Sequence, residues 1–329
     1  MRKLAAAAAV LLLSALVRAD SRDFERQMRQ QAATDRTWQT ASEGFMRMEK
    51  ISYRSAAGDL DVPAFVFRPF GDAGASSRPA LVWVHEDIRG HLYEHYIPYV
   101  REAVARGFVV IAPEYRGSIG YGEKHFDAID YGGAEVDDVV TAVDVLRTRY
   151  PEVDCHRVGI IGWSHGGMIS MLSVFRNPLL FRAAAAIVPV TNLIDRVERK
   201  GVEKQLALID PGRRVFAAPP EARPDIYKDR SPLFQVDKLR IPLLVHVAKN
   251  DQDVEFEEDM PLVEALRTLK PELAVTKVYD HPIGGHTFDR RVNKLTWQPE
   301  NTPEQVDSWK RIWRFLDRTL QSAGRTALN

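Results

Sequence analysis

Short apolar runs alternate with amphipathic stretches along most of the chain. The β-rich segments Met48–Arg54 and Val62–Phe67 flank the turn signal Ala57-Gly58-Asp59 and predict a pair of strands. Ala80–Val84 (ALVWV) and Phe108–Ala112 (FVVIA) are continuous apolar runs of the kind buried on both faces of a sheet, the second closed by Pro113. Between them Tyr93–Arg106 has helical periodicity and stops at Gly107, a residue suited to a helix C-terminus. Ala134–Tyr150 predicts another helix, with Val136, Val139, Val140, Val143 and Leu146 inward and Asp137 and Asp138 on its polar side. Then follow a strand at Val158–Ile161, a helix at Met168–Phe175, and strands at Ala183–Val188 and Leu243–Val247. A helix at Pro261–Leu269, a strand at Leu273–Val278 and a helix at Pro303–Leu320 close the pattern. Strands alternating with helices imply an α/β class with a mostly parallel sheet covered on both faces, and the hairpin-like start implies antiparallel strands at one edge.

Residues 191–240 break the rhythm, with no strand pattern and much Pro, Arg and Asp. They read as a small helical lid or cap inserted between two strands. No Gly/Ser-rich or Pro-rich linker and no internal repeat divides the chain, so residues 48–329 are expected to form one catalytic domain. Residues 20–47 read as an N-terminal arm, of which Ser21–Thr40 is polar, rich in Arg and Gln, and either a helix or a loose linker. Residues 1–19 have the layout of a signal peptide: Arg2 and Lys3, an apolar stretch Leu4–Val17, then Val17-Arg18-Ala19 with cleavage after Ala19. A membrane anchor needs roughly 20 apolar residues; this run is shorter and meets Arg18, and no Cys follows it to carry a lipid. Export to the periplasm or the medium, without a stable membrane anchor, is the expectation.

Composition narrows the partners. Among 329 residues, 45 are basic and 45 acidic, a balance that gives no support for a nucleic-acid or anionic-membrane partner. Apolar residues at 45 % suit a folded globular chain able to build a core. The single cysteine, Cys155, rules out an intramolecular disulfide, and its place before an apolar strand suggests a small buried hydrophobe.

The sharpest chemical signal is Gly162-Trp163-Ser164-His165-Gly166, a G-x-S-x-G motif after an apolar run and before a helical one. A serine on such a strand-to-helix turn is exposed on a strained backbone, and the flanking glycines allow neighbouring segments to approach. Its hydroxyl needs a base to remove the proton, and the base needs a carboxylate to orient it. Downstream, the run Leu243–Val247 leads into Asp251 and Asp253, and Leu273–Val278 leads into His281 and His286, in the Ser, acid, His order of such folds. His286 follows Gly284-Gly285, which suit a loop carrying the imidazole to the serine, whereas His281 precedes Pro282 at a strand end. Asp251 and Asp253 both qualify as the acid. One oxyanion donor is expected from the backbone of His165. The spacing of His91 and His95 would place them on one helix face, but no third ligand is evident, and neither a metal nor another cofactor is expected.

Residues from about Ile51 to Thr319 resemble the catalytic domain of the prolyl oligopeptidase family, in its acylaminoacyl-peptidase and dipeptidyl-peptidase branches. The resemblance rests on Pro113-Glu114-Tyr115-Arg116-Gly117-Ser118-Ile119-Gly120-Tyr121-Gly122, on Tyr131-Gly132-Gly133 with Val136-Asp137-Asp138, on the Gly162–Gly167 elbow and on Tyr227-Lys228-Asp229-Arg230-Ser231-Pro232-Leu233. It implies an α/β-hydrolase fold and a serine peptidase acting on short peptides. It also implies that Asp251 is the acid, because the family sets its aspartate three residues before a valine, as Asp251 stands to Val254.

Two departures matter. Where the acylaminoacyl branch has "H-G-G-P", this chain reads His85-Glu86-Asp87-Ile88-Arg89-Gly90, similar instead to the "Q-E-I-F-G" of dienelactone hydrolases. A second oxyanion donor is then expected from the backbone of Glu86 or Asp87. The acidic side chain at 86 could read a cationic substrate group, pair with Arg116, or be satisfied by a structural arginine or solvent. Peptidases of the family also usually carry an N-terminal β-propeller, for which residues 20–47 leave no room. That leaves a carboxylesterase acting on small esters as the alternative, and a non-catalytic binding module as a third reading. Oligomeric state is left open by these patterns.

Overall fold

A computed structural model of the protein describes residues 22–321 apart from 59, 72–73 and 211–213. The proposed leader lies outside the described residues. The first element, α1 (Phe24–Ser42), begins where the Asp23 side chain accepts a hydrogen bond from the Arg26 N–H at 2.9 Å. Residues 24–42 are thus helical rather than a loose linker. Trp38 on this helix is fully buried, packs on Phe67 and donates its indole N–H to the Leu92 carbonyl at 3.0 Å.

The chain continues through β1 (Arg47–Arg54), β2 (Asp61–Arg68), β3 (Arg78–Val84), α2 (Ile97–Ala105), β4 (Val109–Pro113), the short α3 (Glu123–Asp127), α4 (Ala134–Arg149) and β5 (Val153–Trp163). It then forms α5 (His165–Arg176), β6 (Ala183–Ile187), α6 (Leu193–Lys200), α7 (Val202–Ile209), α8 (Pro224–Asp229), β7 (Leu243–Ala248), α9 (Phe256–Leu269), β8 (Ala274–Tyr279) and α10 (Pro303–Leu316). The eight strands form one sheet in the order β1-β2-β4-β3-β5-β6-β7-β8. β2 runs antiparallel to both β1 and β4, and every other pairing is parallel.

Strand alternation sorts the core into two layers. Ala80, Val82 and Val84 of β3 belong to one cluster with the inward residues of α4, α5 and α9. Leu81 and Trp83 belong to a second cluster with Trp38 and residues of α2 and α10. The sheet is therefore covered on both faces, the arrangement expected of near-continuous apolar strands. Residues 191–240 hold α6, α7 and α8, and the Asn192 side chain caps α6 by accepting from the Ile194 N–H.

Several expectations need correction. Asp138 is not on a polar face: it is fully buried, and its carboxylate takes the Arg116 guanidinium in paired contacts of 2.9 Å. Tyr93–Arg106 is not one helix. A 3-10 turn covers Glu94–Tyr96 and α2 starts at Ile97, so His91 and His95 share no helix face. The helix expected to begin at Pro261 begins at Phe256 and carries Pro261 inside. β5 is longer than its apolar run on both sides, and Cys155 within it is half-buried rather than buried.

Candidate active site

β5 delivers its last residue, Trp163, directly into Ser164, which has φ 53° and ψ −117°. That conformation is one that L side chains rarely adopt, and it costs of order 1–3 kcal/mol at a non-glycine residue. The surroundings hold it there. The Ser164 N–H donates to the Ile187 carbonyl at 3.0 Å, and the Ser164 carbonyl accepts from Met168 and Val190, each at 3.1 Å. A Cβ at Gly162 would stand 2.2 Å from the Gly166 carbonyl oxygen, and one at Gly166 would stand 2.3 Å from the His85 carbonyl oxygen. The two glycines therefore let β5, α5 and the loop after β3 meet at one point. Ser164 is 7 % exposed, so the hydroxyl-bearing residue sits in a nearly closed site.

The acid and base candidates lie in the loops beyond the C-terminal ends of β7 and β8. His286 Nδ1 is 2.7 Å from Asp251 Oδ2. A carboxylate only accepts, so Nδ1 carries the proton and donates, which leaves Nε2 as the basic nitrogen. The other Asp251 oxygen, Oδ1, accepts from the Asp253 and Val254 N–H groups, both at 2.8 Å. Asp251 is buried, whereas Asp253 is exposed and takes part through its backbone. His281 is exposed and turned to Asp280, at 3.1 Å, instead of Asp251. The insertion braces the acid loop, because Arg196 of α6 donates to the Asp253 carbonyl at 2.9 Å. Carboxylate and imidazole atoms of Asp251, Asp253 and His286 fall within 4.8 Å of one another, a grouping able to hold a cation in principle. With Oδ1 saturated by two amides and Oδ2 bonded to the imidazole, Asp251 is arranged to orient a histidine rather than to ligate.

The His165 N–H stands at the first turn of α5, where N–H groups lack an intrahelical partner and the helix dipole favours negative charge. Its side chain is drawn the other way, with Nε2 2.8 Å from Glu135 Oε2 and the ring stacked on Tyr131. Across the elbow, the loop after β3 is pinned by the Tyr115 hydroxyl, which donates to the His85 and Asp87 carbonyls at 3.1 and 2.9 Å. Asp87 has φ 67° and accepts from the Tyr93 hydroxyl at 2.8 Å. Beneath it, burial drives His85 down to about 3 and pushes Glu114 up to about 8, so their 3.6 Å approach joins two neutral groups at neutral pH.

Glu86 does not pair with Arg116, whose partner is Asp138, nor does it face solvent. It is buried against the Arg290 guanidinium and has His95 Nε2 at 3.1 Å from Oε1. Burial opposes its ionisation, but Arg290 and His95 prevail and hold the carboxyl well below the usual range. Sequence reasoning does not single out Arg290 or Asp289, and it takes Tyr115 only within the Pro113–Gly122 stretch, without a role. Arg290 stands four residues after His286, which alone is a weak signal.

Residues 95–322 match the prolyl oligopeptidase family. The chain is 29 % identical over 253 residues to the uncharacterized peptidase YuxL of Bacillus subtilis, covering 74 % of this chain and 36 % of that one. It is 31 % identical over 203 residues to the uncharacterized peptidase YtmA of the same organism, covering 60 % of this chain and 74 % of the relative. The human acylamino-acid-releasing enzyme is 26 % identical over 217 residues, covering 64 % of this chain and 29 % of the enzyme. The chain thus spans about a third of the length of YuxL and of the human enzyme. Among solved structures, an acylaminoacyl peptidase in complex with Z-Gly-Gly-Phe-chloromethyl ketone superposes with a TM-score of 0.68 at 19 % identity, over 85 % of this chain and 43 % of that one. A puromycin-hydrolyzing peptidase of Mycobacterium tuberculosis does so with a TM-score of 0.66 at 23 % identity, over 85 % and 40 %. At these identities the superpositions bear on the fold, which they share with this chain: the α/β-hydrolase fold.

Proposed function

The chain belongs to the prolyl oligopeptidase family, and we propose that it is a serine-type peptidase, that Ser164, His286 and Asp251 are its catalytic triad and that it hydrolyses short peptides after export. The observation that carries this reading is the 2.7 Å contact between His286 Nδ1 and the buried Asp251, in loops beyond the same C-terminal end of the parallel strands as the Ser164 elbow. In the first step His286 Nε2 takes the Ser164 hydroxyl proton as Oγ attacks the acyl carbon. The imidazolium is stabilised by Asp251 and returns the proton to the leaving amine, giving an acyl-enzyme. Water, deprotonated by the same Nε2, then releases the acid and restores the serine. The oxyanion is received by the His165 N–H and by a backbone N–H of Glu86 or Asp87.

The exposed Asp87 carboxylate, on the loop after β3, supports a preference for substrates with a free amine near the scissile bond. A panel of aminoacyl-nitroanilides, their N-acetyl forms, short peptides and p-nitrophenyl esters tests both points. Amide turnover with a higher kcat/KM for the free amines is expected. Ester turnover without amide turnover removes the peptidase reading in favour of a carboxylesterase, and a preference for N-acetyl forms removes the role given to Asp87.

Export is supported by Arg2, Lys3, the apolar Leu4–Val17 and the small residue Ala19. The mature protein, recovered from the periplasm or medium of an expressing bacterium, should begin at Asp20 on N-terminal sequencing. Retention of Met1 in the cytoplasm would defeat this part of the proposal.

A further inference from the structure

A chain of buried charges links the loop after β3, the base-bearing loop after β8 and the end of β5 that carries Ser164. Arg290, 2 % exposed, forms an ion pair with Glu86 of the loop after β3. Its Nη1 donates to the carbonyl of His286 at 2.8 Å and to Asp289 Oδ1 at 3.0 Å. The second Asp289 oxygen accepts from the indole N–H of Trp163, the residue before Ser164, at 2.6 Å. The Asp289 carbonyl takes the indole N–H of Trp309 at 2.6 Å, which seats the same loop on α10. On the far side, Glu86 Oε1 stands 3.1 Å from His95 Nε2.

Stability is a poor reason for such a pair. Taking an arginine and a carboxylate out of water costs several kcal/mol for each ion, and apolar replacements of similar volume are often neutral or stabilising. Nor does oxyanion binding require an acid at 86, since any residue but proline brings a backbone N–H. What the pair supplies is direction. The guanidinium is a rigid fork that satisfies Glu86, Asp289 and the His286 carbonyl together, so a shift of one loop breaks contacts in the other.

We propose that the Glu86–Arg290 pair positions the catalytic centre by locking the oxyanion-side loop to the base-bearing loop and, through Asp289, to the strand end that carries Ser164. The proposal rests on the triad reading above. Neither residue touches the reacting atoms; both are positioning residues.

The test uses the full-length protein in four variants: Arg290→Met, Arg290→Lys, Glu86→Gln and the double variant Glu86→Leu/Arg290→Met. Each is measured for thermal midpoint, for kcat and KM on the best substrate of the panel, and for the rate at which a fluorophosphonate labels Ser164, with active-site titration correcting for unfolded protein. Arg290→Met and Glu86→Gln should lose about 100-fold in kcat, the scale of an ångström-level misplacement, with KM within about threefold of wild type, and Arg290→Lys should lose less than Arg290→Met. The double variant, which removes both ions of the pair but leaves Asp289 with only the Trp163 indole N–H, should recover part of the midpoint lost in Arg290→Met but neither kcat nor the labelling rate. If it regains kcat with the midpoint, the pair only fills space and the proposal falls. It falls equally if the kcat losses vanish once corrected for titrated sites. Wild-type turnover that survives Ser164→Ala would remove the triad reading instead, and the clamp with it; a Ser164-dependent enzyme indifferent to the double substitution removes the clamp alone.

Discussion

Ser164→Ala should leave a folded protein whose kcat falls by about a millionfold, the scale of losing the nucleophile of a triad. The residue sits alone at the point of the elbow with its backbone held from three sides, so the methyl side chain keeps the same φ of 53° and the same neighbours. Binding should survive, because the carbonyl-facing N–H groups belong to the backbone, and KM or an inhibitor constant should move little. The backbone strain yields a second readout from the same position. Ser164→Gly relieves a conformation that only glycine adopts at no steric cost, so it should melt above Ser164→Ala by an amount corresponding to about 1–2 kcal/mol. Activity assays and thermal unfolding of the two variants check both statements. Turnover persisting in Ser164→Ala would require another nucleophile, and equal melting of the two would mean that the elbow stores no strain.

The parts of this fold that were legible in sequence are those whose cause is local. ALVWV and FVVIA are strands because strands buried on both faces need no polar alternation, and β3 and β4 lie side by side in the sheet as those runs imply. The elbow was legible because Gly162 and Gly166 are demanded by contacts of under 2.5 Å to backbone that no larger residue could meet. Illegible features depend on partners distant in the chain. Asp138 lies on a helix where periodicity gives a carboxylate to solvent, and only the packing of the Arg116 loop explains its burial. Glu86 and Arg290 are separated by most of the catalytic domain, and neither is marked by its neighbours. The split of Tyr93–Arg106 turns on Pro98, which fits the first turn of α2 and so favours a fresh helix start at Ile97 over one continuous helix. The choice between Asp251 and Asp253 had no local answer either. Their alternation along a loop is ambiguous by itself; the family spacing to Val254 points to Asp251, and the amides of residues 253 and 254 that converge on its carboxylate favour the same reading.

That convergence makes Asp251→Asn the sharper of the two large predictions, since it changes one atom and should cost about ten-thousandfold in kcat, the scale of an acid-to-amide change in a triad. The two N–H groups bound to Oδ1 dictate how asparagine must sit. They need an acceptor, so the amide oxygen takes the Oδ1 place and the NH2 group is turned toward His286, where Oδ2 stood at 2.7 Å. A donor facing Nδ1 stabilises the tautomer with its proton on Nε2, and that nitrogen then has no lone pair for the Ser164 hydroxyl. Flipping the amide would restore the tautomer only by aiming NH2 at two backbone donors. Because the amide oxygen still caps both N–H groups, Asp251→Asn should melt closer to wild type than Asp251→Ala, which abandons them at a cost of about 1–3 kcal/mol. Asp253→Asn, altering an exposed carboxylate whose backbone N–H is unchanged, should hold kcat within about threefold, the range left to surface changes that move no catalytic group. Steady-state kinetics with melting curves on the three variants decide the matter: a large kcat loss in Asp253→Asn with Asp251→Asn near wild type would transfer the role to Asp253, and a kcat loss in Asp251→Asn that merely follows its melting temperature would make Asp251 a turn former.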